Sequence, residues 1–393
     1  MESNRREFFK KAAGALSAAP LFIPSAAWGA NDRIAYGVIG TGGRGRYLND
    51  KFQKIGAQCV AVCDVYEPNL EAARTQSPDA RPYGDYHELL QHKEMDAVVI
   101  ASPDHHHCPM LLAALDARKD VYSEKPLSKS LEQSQQMIAA AQKSRQVVQI
   151  GMQRRSAESI LKAKRLVDDG VLGQITMAKP QWNWNIAKPL NNEPLPGKLD
   201  WNGFLGSAPK RELEPMRFRY WRYFWDYAGG NMTDQGTHLM DVVQWFTKSG
   251  PPKSAIMNGY VAKMKGAEHA DVFCAVFEFP ELMATWTLNY DNAYENGWSI
   301  TFQGDKGTMI LDEDGYRVWA EPWKRDAAPV YEEKAPVPVE SHIQNFLDCM
   351  KSRNETNCPP RIAAQAVDGP HLANQSFLRG RKVSLSPDGS QAV

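Results

Sequence analysis

The sequence has no net charge and no long apolar run. Its 46 Lys and Arg residues balance 46 Asp and Glu residues, and no basic block interrupts that balance. Proteins that bind nucleic acid carry an excess of positive charge, so we expect no such partner. No run of apolar residues approaches the roughly 20 that span a bilayer, and we therefore predict no stable membrane anchor.

Cysteine is also scarce, with six in the chain of 393 residues. Four of them fall in predicted strands or at a helix start, where each has the character of a small buried apolar residue: Cys59, Cys63, Cys108 and Cys274. Only Cys349 and Cys358, on either side of a helix end, are placed so that they could pair. We predict no disulfide.

The first 30 residues have the pattern of an export signal. Arg5 and Arg6 precede two aromatic residues and a lysine, and a stretch of small and apolar residues follows from position 12 to 23. Pro24 then opens a zone of small residues suited to cleavage. Paired arginines in this setting resemble the twin-arginine signal, which the export machinery reads as an address. We predict export to the periplasm by that machinery, with a basic amphipathic helix as the alternative.

The length favours two further domains. Residues 31–150 alternate apolar strands with amphipathic helices, which predicts a parallel, doubly wound α/β (Rossmann) sheet. Residues 151–393 begin with a helix and continue with long strands of period two, which predicts an α/β domain with a large, mainly antiparallel open sheet. We assign this second domain to substrate binding and to assembly of a homodimer or homotetramer.

Apolar runs and period-two segments give the bounds of the predicted strands. In the first domain they are 34–40, 57–64, 97–101, 120–123 and 147–150. In the second they are 175–184, 253–264, 271–279, 283–290, 299–303, 308–311 and 316–320.

A glycine-rich turn follows the first predicted strand. Residues 40–45 match G-x-G-x-x-G and open a helix. Gly40 would allow the tight turn, and Gly42 would let a pyrophosphate approach the helix N-terminus, which favours anions. Asp64, at the end of the next strand, would bind the ribose hydroxyls and repel a 2′-phosphate, so NAD is favoured over NADP; Arg44 would face the pyrophosphate. The cofactor contacts predicted here are Gly40, Gly42, Gly43, Arg44, Gly45 and Asp64.

Polar clusters follow two further strands, at 102–107 and at 124–126. Ligands bind outside the carboxyl ends of such strands, so both clusters should lie beside the dinucleotide. The first cluster contains three consecutive histidines. Because consecutive residues do not converge easily on one ion, we predict a loop contact or a helix cap there and no metal.

A predicted helix from Gly229 to Trp245 carries Asp234 and His238, four residues apart on one face. Oxidation of a secondary alcohol requires a hydride acceptor and a base for the hydroxyl proton, and histidine suits the second task. The carboxylate could orient the histidine or bind another hydroxyl. A capped helix with a core histidine is the alternative interpretation, as is a metal site that includes Asp241.

These motifs together resemble one family. The glycine fingerprint, Glu124-Lys125-Pro126, the segment Gly151-Met152-Gln153-Arg154-Arg155 and Asp234-x-x-x-His238 look like the Gfo/Idh/MocA oxidoreductases, relatives of glucose–fructose oxidoreductase and inositol dehydrogenase. The resemblance covers residues 33–380 and implies a sugar or cyclitol substrate. It implies a catalytic group of Lys125, Asp234 and His238, with His238 as the proton acceptor. The further cofactor contacts that it implies are Ser102, Pro103, His107, Glu124 and Lys125.

Aromatic residues give independent support for a carbohydrate substrate. Five of the eleven tryptophans fall between residues 182 and 225, and flat indole faces suit the apolar faces of pyranose rings. The same tryptophans could instead fill a core or an oligomer contact. The substrate contacts that we predict are Arg154, Trp201, Arg222 and Tyr227.

Export would constrain the reaction, because free NAD is scarce outside the cytoplasm. We expect a tightly bound NAD that enters before export and is re-oxidised by a second carbonyl compound or another acceptor. One alternative is a redox-neutral NAD-dependent glycosidase, which oxidises, eliminates, adds water and returns the hydride. Another is a non-catalytic NAD-dependent sugar sensor, against which the presence of Lys125, Asp234 and His238 argues.

Overall fold

Two β-sheets organise the computed structural model, which describes residues 33–393. The predicted export signal in residues 1–30 lies outside the described residues. Residues 34–393 cluster as one unit that contains both sheets.

The first sheet has six parallel strands among the described residues, in the order β3-β2-β1-β4-β5-β6. Its strands are β1 (Ala35–Ile39), β2 (Gln58–Cys63), β3 (Arg81–Tyr83), β4 (Ala97–Ile100), β5 (Asp120–Ser123) and β6 (Val148–Ile150). Strands β4 and β5 are buried along their whole length, as the predicted doubly wound arrangement requires. The predicted parallel sheet is confirmed, while β3 was not predicted.

Helices fill the connections between these strands. They are α1 (Gly43–Lys54), α2 (Glu67–Gln76), α3 (Tyr86–Leu90), α4 (Asp104–Asp116) and α5 (Leu131–Lys143). Ser130 caps α5, since its hydroxyl accepts a hydrogen bond from the Gln133 amide. Helix α4 begins at Asp104, so the three histidines lie in its first turns.

The second sheet has nine strands among the described residues, in the order β14-β13-β12-β11-β7-β10-β9-β8-β15. They are β7 (Ile175–Asn183), β8 (Ser254–Tyr260), β9 (Val272–Glu278), β10 (Met283–Asn289), β11 (Gly297–Gly304), β12 (Gly307–Asp312), β13 (Gly315–Ala320), β14 (Tyr331–Lys334) and β15 (Val383–Ser384). Only the β7–β10 pair is parallel. The predicted, mainly antiparallel sheet is therefore confirmed, although the edge strands β14 and β15 were not predicted.

One face of the second sheet packs against helices. The elements that follow the first sheet are α6 (Glu158–Asp168), α7 (Trp201–Leu205), α8 (Pro215–Arg219), α9 (Gly230–Asp234), α10 (Gly236–Thr247), α11 (Glu340–Ser352) and α12 (Pro360–Arg379), with 3₁₀ turns at Gln153–Ser156 and Trp221–Tyr223. Phe246 on α10 stacks on Phe302 of β11 at 5.3 Å between ring centroids. Cys274 was predicted to be buried, but it points to the opposite face of β9 and is exposed.

The last third of the chain returns to the first sheet. Phe346 on α11 is fully buried, with ring centroids 5.8 Å from Tyr122 and 6.3 Å from Phe52. Residues beyond 150, which the sequence assigned to a separate domain, thus complete the core of the first sheet.

All six cysteines lie within the described range and are free. Across residues 33–393, no helix has both the length and the apolar character needed to cross a bilayer.

Candidate active site

A groove with a volume of about 690 Å³ runs along the carboxyl ends of the first sheet. Gly40, Gly42 and Gly43 line it. Gly40 has a φ of +83°, and a Cβ there would lie 2.7 Å from the Ser102 amide nitrogen. Gly45 does not line the groove, because it faces Gly40, and a Cβ at Gly45 would overlap the Gly40 carbonyl oxygen. The tight turn, the space for a ligand and the close packing thus fall on different glycines.

Asp64 is fixed at the end of β2 on the wall of the groove. Its Oδ2 accepts hydrogen bonds from the Thr41 amide at 2.7 Å and from Asn69 Nδ2 at 3.3 Å, and its Oδ1 accepts one from the Tyr66 amide at 2.9 Å. Burial raises the pKa of Asp64, and these hydrogen bonds oppose that rise. A rigid carboxylate beside a glycine-lined turn fits a dinucleotide.

A second cavity, with a volume of about 250 Å³, adjoins the groove. Ala101, Ser102, Trp221 and Arg222 line both. The other residues around this smaller space, called the reaction cavity below, are mostly polar: Arg44, Asp104, Glu124, Lys125, Gln153, Asp234 and His238. The three predicted catalytic residues therefore line one cavity next to the groove.

Lys125 and Asp234 form a buried ion pair in this cavity. Lys125 Nζ donates to Asp234 Oδ1 at 2.5 Å and to the Asp234 carbonyl oxygen at 2.9 Å. Arg222 Nε lies 3.4 Å from the same Oδ1. Burial alone would raise the pKa of Asp234, but the charges of Lys125 and Arg222 outweigh it and hold the pKa well below its usual range. Asp234 therefore stays ionised and anchors both cations.

His238 faces the cavity from the first turn of α10. The sequence predicted one helix through Asp234 and His238, but the helix is divided at Gln235, between α9 and α10. His238 is 7% exposed, and burial together with the charges of Arg154 and Lys125 lowers its pKa well below its usual value. No other described residue hydrogen-bonds its ring. The imidazole is thus neutral and free to accept a proton.

Arg44 lines the reaction cavity, which adjoins the groove. Its Nε and Nη2 donate to Glu124 Oε1 at 2.9 and 2.7 Å, and its contact with a pyrophosphate stays a prediction. Glu124 is buried beneath it, close to Gly151, where a Cβ would lie 2.9 Å from Glu124 Oε1. Arg44 and Glu124 together form one wall of the cavity.

Ser102 and Pro103 line the groove, but His107 does not. His107 is 1% exposed, and its Nε2 and Nδ1 lie 2.9 and 2.7 Å from the carbonyl oxygens of Ser102 and Pro126. His107 therefore bridges the loop that follows β4 and the loop that follows β5. His105 and His106 both lie within hydrogen-bond distance of the Phe204 carbonyl oxygen. Among residues 33–393 no group of three or more His, Cys, Asp or Glu side chains is arranged to hold a metal.

Only one of the four predicted substrate contacts, Arg222, lines the reaction cavity. The Arg154 guanidinium is buried 4.1 Å from the Trp298 ring centroid, and burial lowers its pKa to about 10. Trp201 stacks on Phe204 at 5.1 Å, and Tyr227 is fully buried. Arg154 and Tyr227 are buried and Trp201 is half-buried, and contact of these three residues with a substrate stays a prediction.

Four residues that line the reaction cavity were not predicted as site residues: Ala101, Asp104, Gln153 and Trp221. Burial, together with the charge of Asp234, raises the pKa of Asp104 to about 7. Gln153 belongs to the segment 151–155 that contributed to the family resemblance, which is a signal that could have found it. Trp221 is one of the five clustered tryptophans, and it is the one among them that lines the cavity.

Two family models match the chain. "Oxidoreductase family, NAD-binding Rossmann fold" matches residues 34–152, and "GFO/IDH/MocA C-terminal domain" matches residues 160–310. The chain belongs to the Gfo/Idh/MocA oxidoreductase family. This confirms the resemblance that the motifs indicated.

Individual relatives resemble parts or all of the chain. An inositol 2-dehydrogenase of Salmonella typhimurium is 34% identical over 146 residues, which is 37% of this chain and 43% of the relative. An inositol 2-dehydrogenase/D-chiro-inositol 3-dehydrogenase of Lacticaseibacillus casei is 35% identical over 165 residues, covering 41% and 48%. The match thus spans less than half the length of these relatives. An uncharacterized oxidoreductase of Bacillus subtilis is 22% identical over 90% of this chain and 97% of its own.

Solved structures share the fold over most of the chain. Levoglucosan dehydrogenase, in complex with NADH and levoglucosan, has a TM-score of 0.71 at 16% identity over 90% of this chain and 99% of that one. The WlbA dehydrogenase of Bordetella pertussis, in complex with NADH and UDP-GlcNAcA, has a TM-score of 0.70 at 21% identity over the same shares. At such identities the likeness shows the fold alone.

Proposed function

We propose that this protein is an NAD-dependent dehydrogenase that acts on a secondary hydroxyl of a sugar or cyclitol. The observation that carries the proposal is the placement of Lys125, Asp234 and His238 around one cavity that adjoins the glycine-lined groove. The similarity to inositol dehydrogenases over the first sheet supports it. The structures of relatives with bound NADH point to the same cofactor.

The groove would hold the dinucleotide, which supplies the hydride acceptor when bound. Gly40, Gly42 and Gly43 leave room for a pyrophosphate at the N-terminus of α1, and Asp64 would accept hydrogen bonds from ribose hydroxyls. The same carboxylate would repel a 2′-phosphate, which is why we propose NAD over NADP.

Residues of the reaction cavity have separate roles in the oxidation of the alcohol. Neutral His238 takes the hydroxyl proton, a task that contributes about 10²- to 10⁴-fold to such reactions. A lysine ammonium has three protons, and two of those on Lys125 are directed at Asp234. The third is free to donate to the substrate oxygen and to stabilise negative charge there. Asp234 keeps Lys125 and Arg222 in place.

Trp221, Arg222 and Gln153 are the residues that we propose for sugar recognition. The Arg222 guanidinium lies 4.3 Å from the Trp221 ring centroid, so an indole face and a fork of donors adjoin the cavity. The indole face suits the apolar side of a sugar ring, and the guanidinium and amide groups suit its hydroxyls.

Two measurements test the proposal: detection of bound dinucleotide, and an activity assay with a panel of alcohols. Mass spectrometry of denatured, purified protein should reveal NAD, and NADH absorbance should rise with at least one of myo-inositol, levoglucosan and common pyranoses. Release of aglycone from a glycoside without net NADH would favour the glycosidase. Failure to bind either NAD⁺ or NADH would refute the function, and sugar binding without any turnover would favour the sensor.

We further propose export with the cofactor already bound, on the basis of Arg5, Arg6 and the apolar segment that follows. A reporter fused to residues 1–30 should leave the cytoplasm, and the double substitution Arg5→Lys with Arg6→Lys should retain it there. A reporter that stays in the cytoplasm with the intact segment would refute export and with it the argument for a retained cofactor.

A further inference from the structure

Asp104 is a buried carboxyl group of the reaction cavity that the reaction proposed above does not use. It is the first residue of α4 and is 2% exposed. The charged groups that act on it come from separate elements: Asp234 on α9, Arg222 on the 3₁₀ turn, and Lys125 after β5. The charge of Asp104 also acts on Lys129, which lies in the same loop as Lys125. The Asp104 carboxylate accepts a hydrogen bond from the Gly229 backbone.

Asp234 and His238, which also line the cavity, do not retain a proton near neutral pH. The two cations beside Asp234 hold its pKa well below its usual range, and burial holds that of His238 low. Glu124 accepts two hydrogen bonds from the Arg44 guanidinium. A proton taken by His238 must therefore move on. Asp104 lines the same cavity and, with a pKa of about 7, is the acid that can both hold and release a proton near neutrality.

We infer that Asp104 is the proton store of the reaction cavity, ionised beside the oxidised dinucleotide and free to hold a proton beside the reduced one. The inference rests on the proposed function. In the oxidation, the C–H bond of the alcohol breaks with its two electrons, and the hydride passes to NAD⁺. The O–H bond also breaks, and its proton passes through His238 to the Asp104 carboxylate. The products are the ketone, NADH and a neutral Asp104, so atoms and charge balance.

Charge explains why the two states of Asp104 should follow the two states of the cofactor. The oxidised nicotinamide is positive and the reduced one is neutral, and a nearby positive charge favours the ionised form of a carboxyl group. The reaction cavity shares four lining residues with the groove that would hold the dinucleotide. Binding of NAD⁺ should therefore release protons that binding of NADH does not.

Isothermal titration calorimetry tests this without any knowledge of the substrate. Protein freed of dinucleotide is titrated with NAD⁺ and with NADH at pH 7 in phosphate and in Tris, whose different ionisation enthalpies reveal the proton count. A group with a pKa of about 7 is half protonated at that pH, so NAD⁺ should release about half a proton more than NADH. Asp104→Asn should abolish the difference. Asp116→Asn, at the exposed end of the same helix, should keep it.

Several outcomes would overturn the inference. Equal proton release with NAD⁺ and NADH in the natural protein would do so, and so would an unchanged difference in a folded Asp104→Asn protein. If the Asp104→Asn variant does not fold, the inference is tested by the pH dependence of the difference in proton release in the natural protein. The difference must vanish by about pH 9, where Asp104 is already ionised in the free protein. A difference that persists there belongs to another group. Loss of binding of both nucleotides in the natural protein would instead refute the proposed function.

Discussion

Three aspartates around the two cavities differ in pKa because their neighbours differ. Burial raises the pKa of Asp64, which faces amide donors and no close cation. Asp234 is also enclosed, but two cations reverse the effect. Asp104 lies near the same two cations without a hydrogen bond to either, and burial and the charge of Asp234 raise its pKa to about 7. One residue type thus supplies a hydrogen-bond acceptor, a fixed counter-ion and a titrating acid.

Asp64→Ala should weaken NAD binding and narrow the preference for NAD over NADP by more than tenfold. The reason is that the substitution removes both the acceptor for ribose hydroxyls and the repulsion of a 2′-phosphate, and tenfold corresponds to about 1.4 kcal/mol. Fluorescence titrations with NADH and NADPH measure both affinities. Asp79→Ala, at an exposed site near the same sheet, is the control and should change neither. Equal affinity of the natural protein for the two nucleotides would contradict the assignment.

His238→Ala should leave folding and NAD binding intact and lower kcat by about 10²- to 10⁴-fold. The base acts in its neutral form, and burial lowers its pKa, so kcat/KM of the natural protein should hold at pH 6.5 and fall only at lower pH. Lys125→Ala should be similarly severe, and the two losses should not add, since both residues act on one hydroxyl.

His371 provides the matched control, because it is also buried but lies on α12 outside the reaction cavity. His371→Ala should lower the melting temperature and keep turnover per folded molecule. If His238→Ala behaves in that same way, His238 is a core residue and the base lies elsewhere.

At the level of elements, patterns of apolar residues predicted most strands and helices, and short or divided elements escaped them. Strand β3 has only three residues, and two of them, Arg81 and Pro82, are exposed. It therefore shows no alternation of apolar and polar residues. The division at Gln235 of the helix predicted from Gly229 to Trp245 has no sequence signal of its own. Next to it, Gly236 packs so closely on Trp286 that a Cβ would lie 2.8 Å from the indole nitrogen. That contact joins positions 50 residues apart, which local periodicity does not report.

The sequence predicted those site residues that belong to recognisable motifs. Lys125 and His238 were found from motifs, and the structure places both around the reaction cavity. No local feature of the sequence reveals that Arg154 packs on an indole ring or that Tyr227 is enclosed. Asp104 was missed because its importance depends on Asp234, a neighbour in space that is distant in sequence.

Gly45→Ala should disrupt the turn between β1 and α1, whereas Gly43→Ala should be tolerated by the fold. A Cβ at Gly45 would overlap the Gly40 carbonyl oxygen, while one at Gly43 would meet nothing within 4 Å. Both positions lie in α1, so the two variants form a matched pair. We expect Gly45→Ala to lower the melting temperature and NADH affinity together. Equal melting temperatures of the two variants would contradict the close packing assigned to Gly45.

At the scale of the molecule, the C-terminal helices connect the two sheets. Ala363 and Val367, in the first half of α12, belong to the apolar core beside the first sheet. Leu372 and Ala373, further along the same helix, belong to the core of the second. Helix α11 adds Phe346 to a separate apolar cluster of the first sheet. Because one helix is buried in both cores, we expect the two sheets to unfold together.

Phe346→Ala tests this coupling, because it removes a fully buried ring from an apolar cluster of the first sheet, far along the chain from the strands that it supports. Such truncations cost about 3 to 5 kcal/mol. The melting temperature should fall in one transition, with the same midpoint by far-UV circular dichroism and by loss of bound NADH fluorescence. Leu378→Ala, at an exposed position of α12, should leave it unchanged. Two separated transitions, of which only one moves, would show that the sheets unfold independently despite the helix they share.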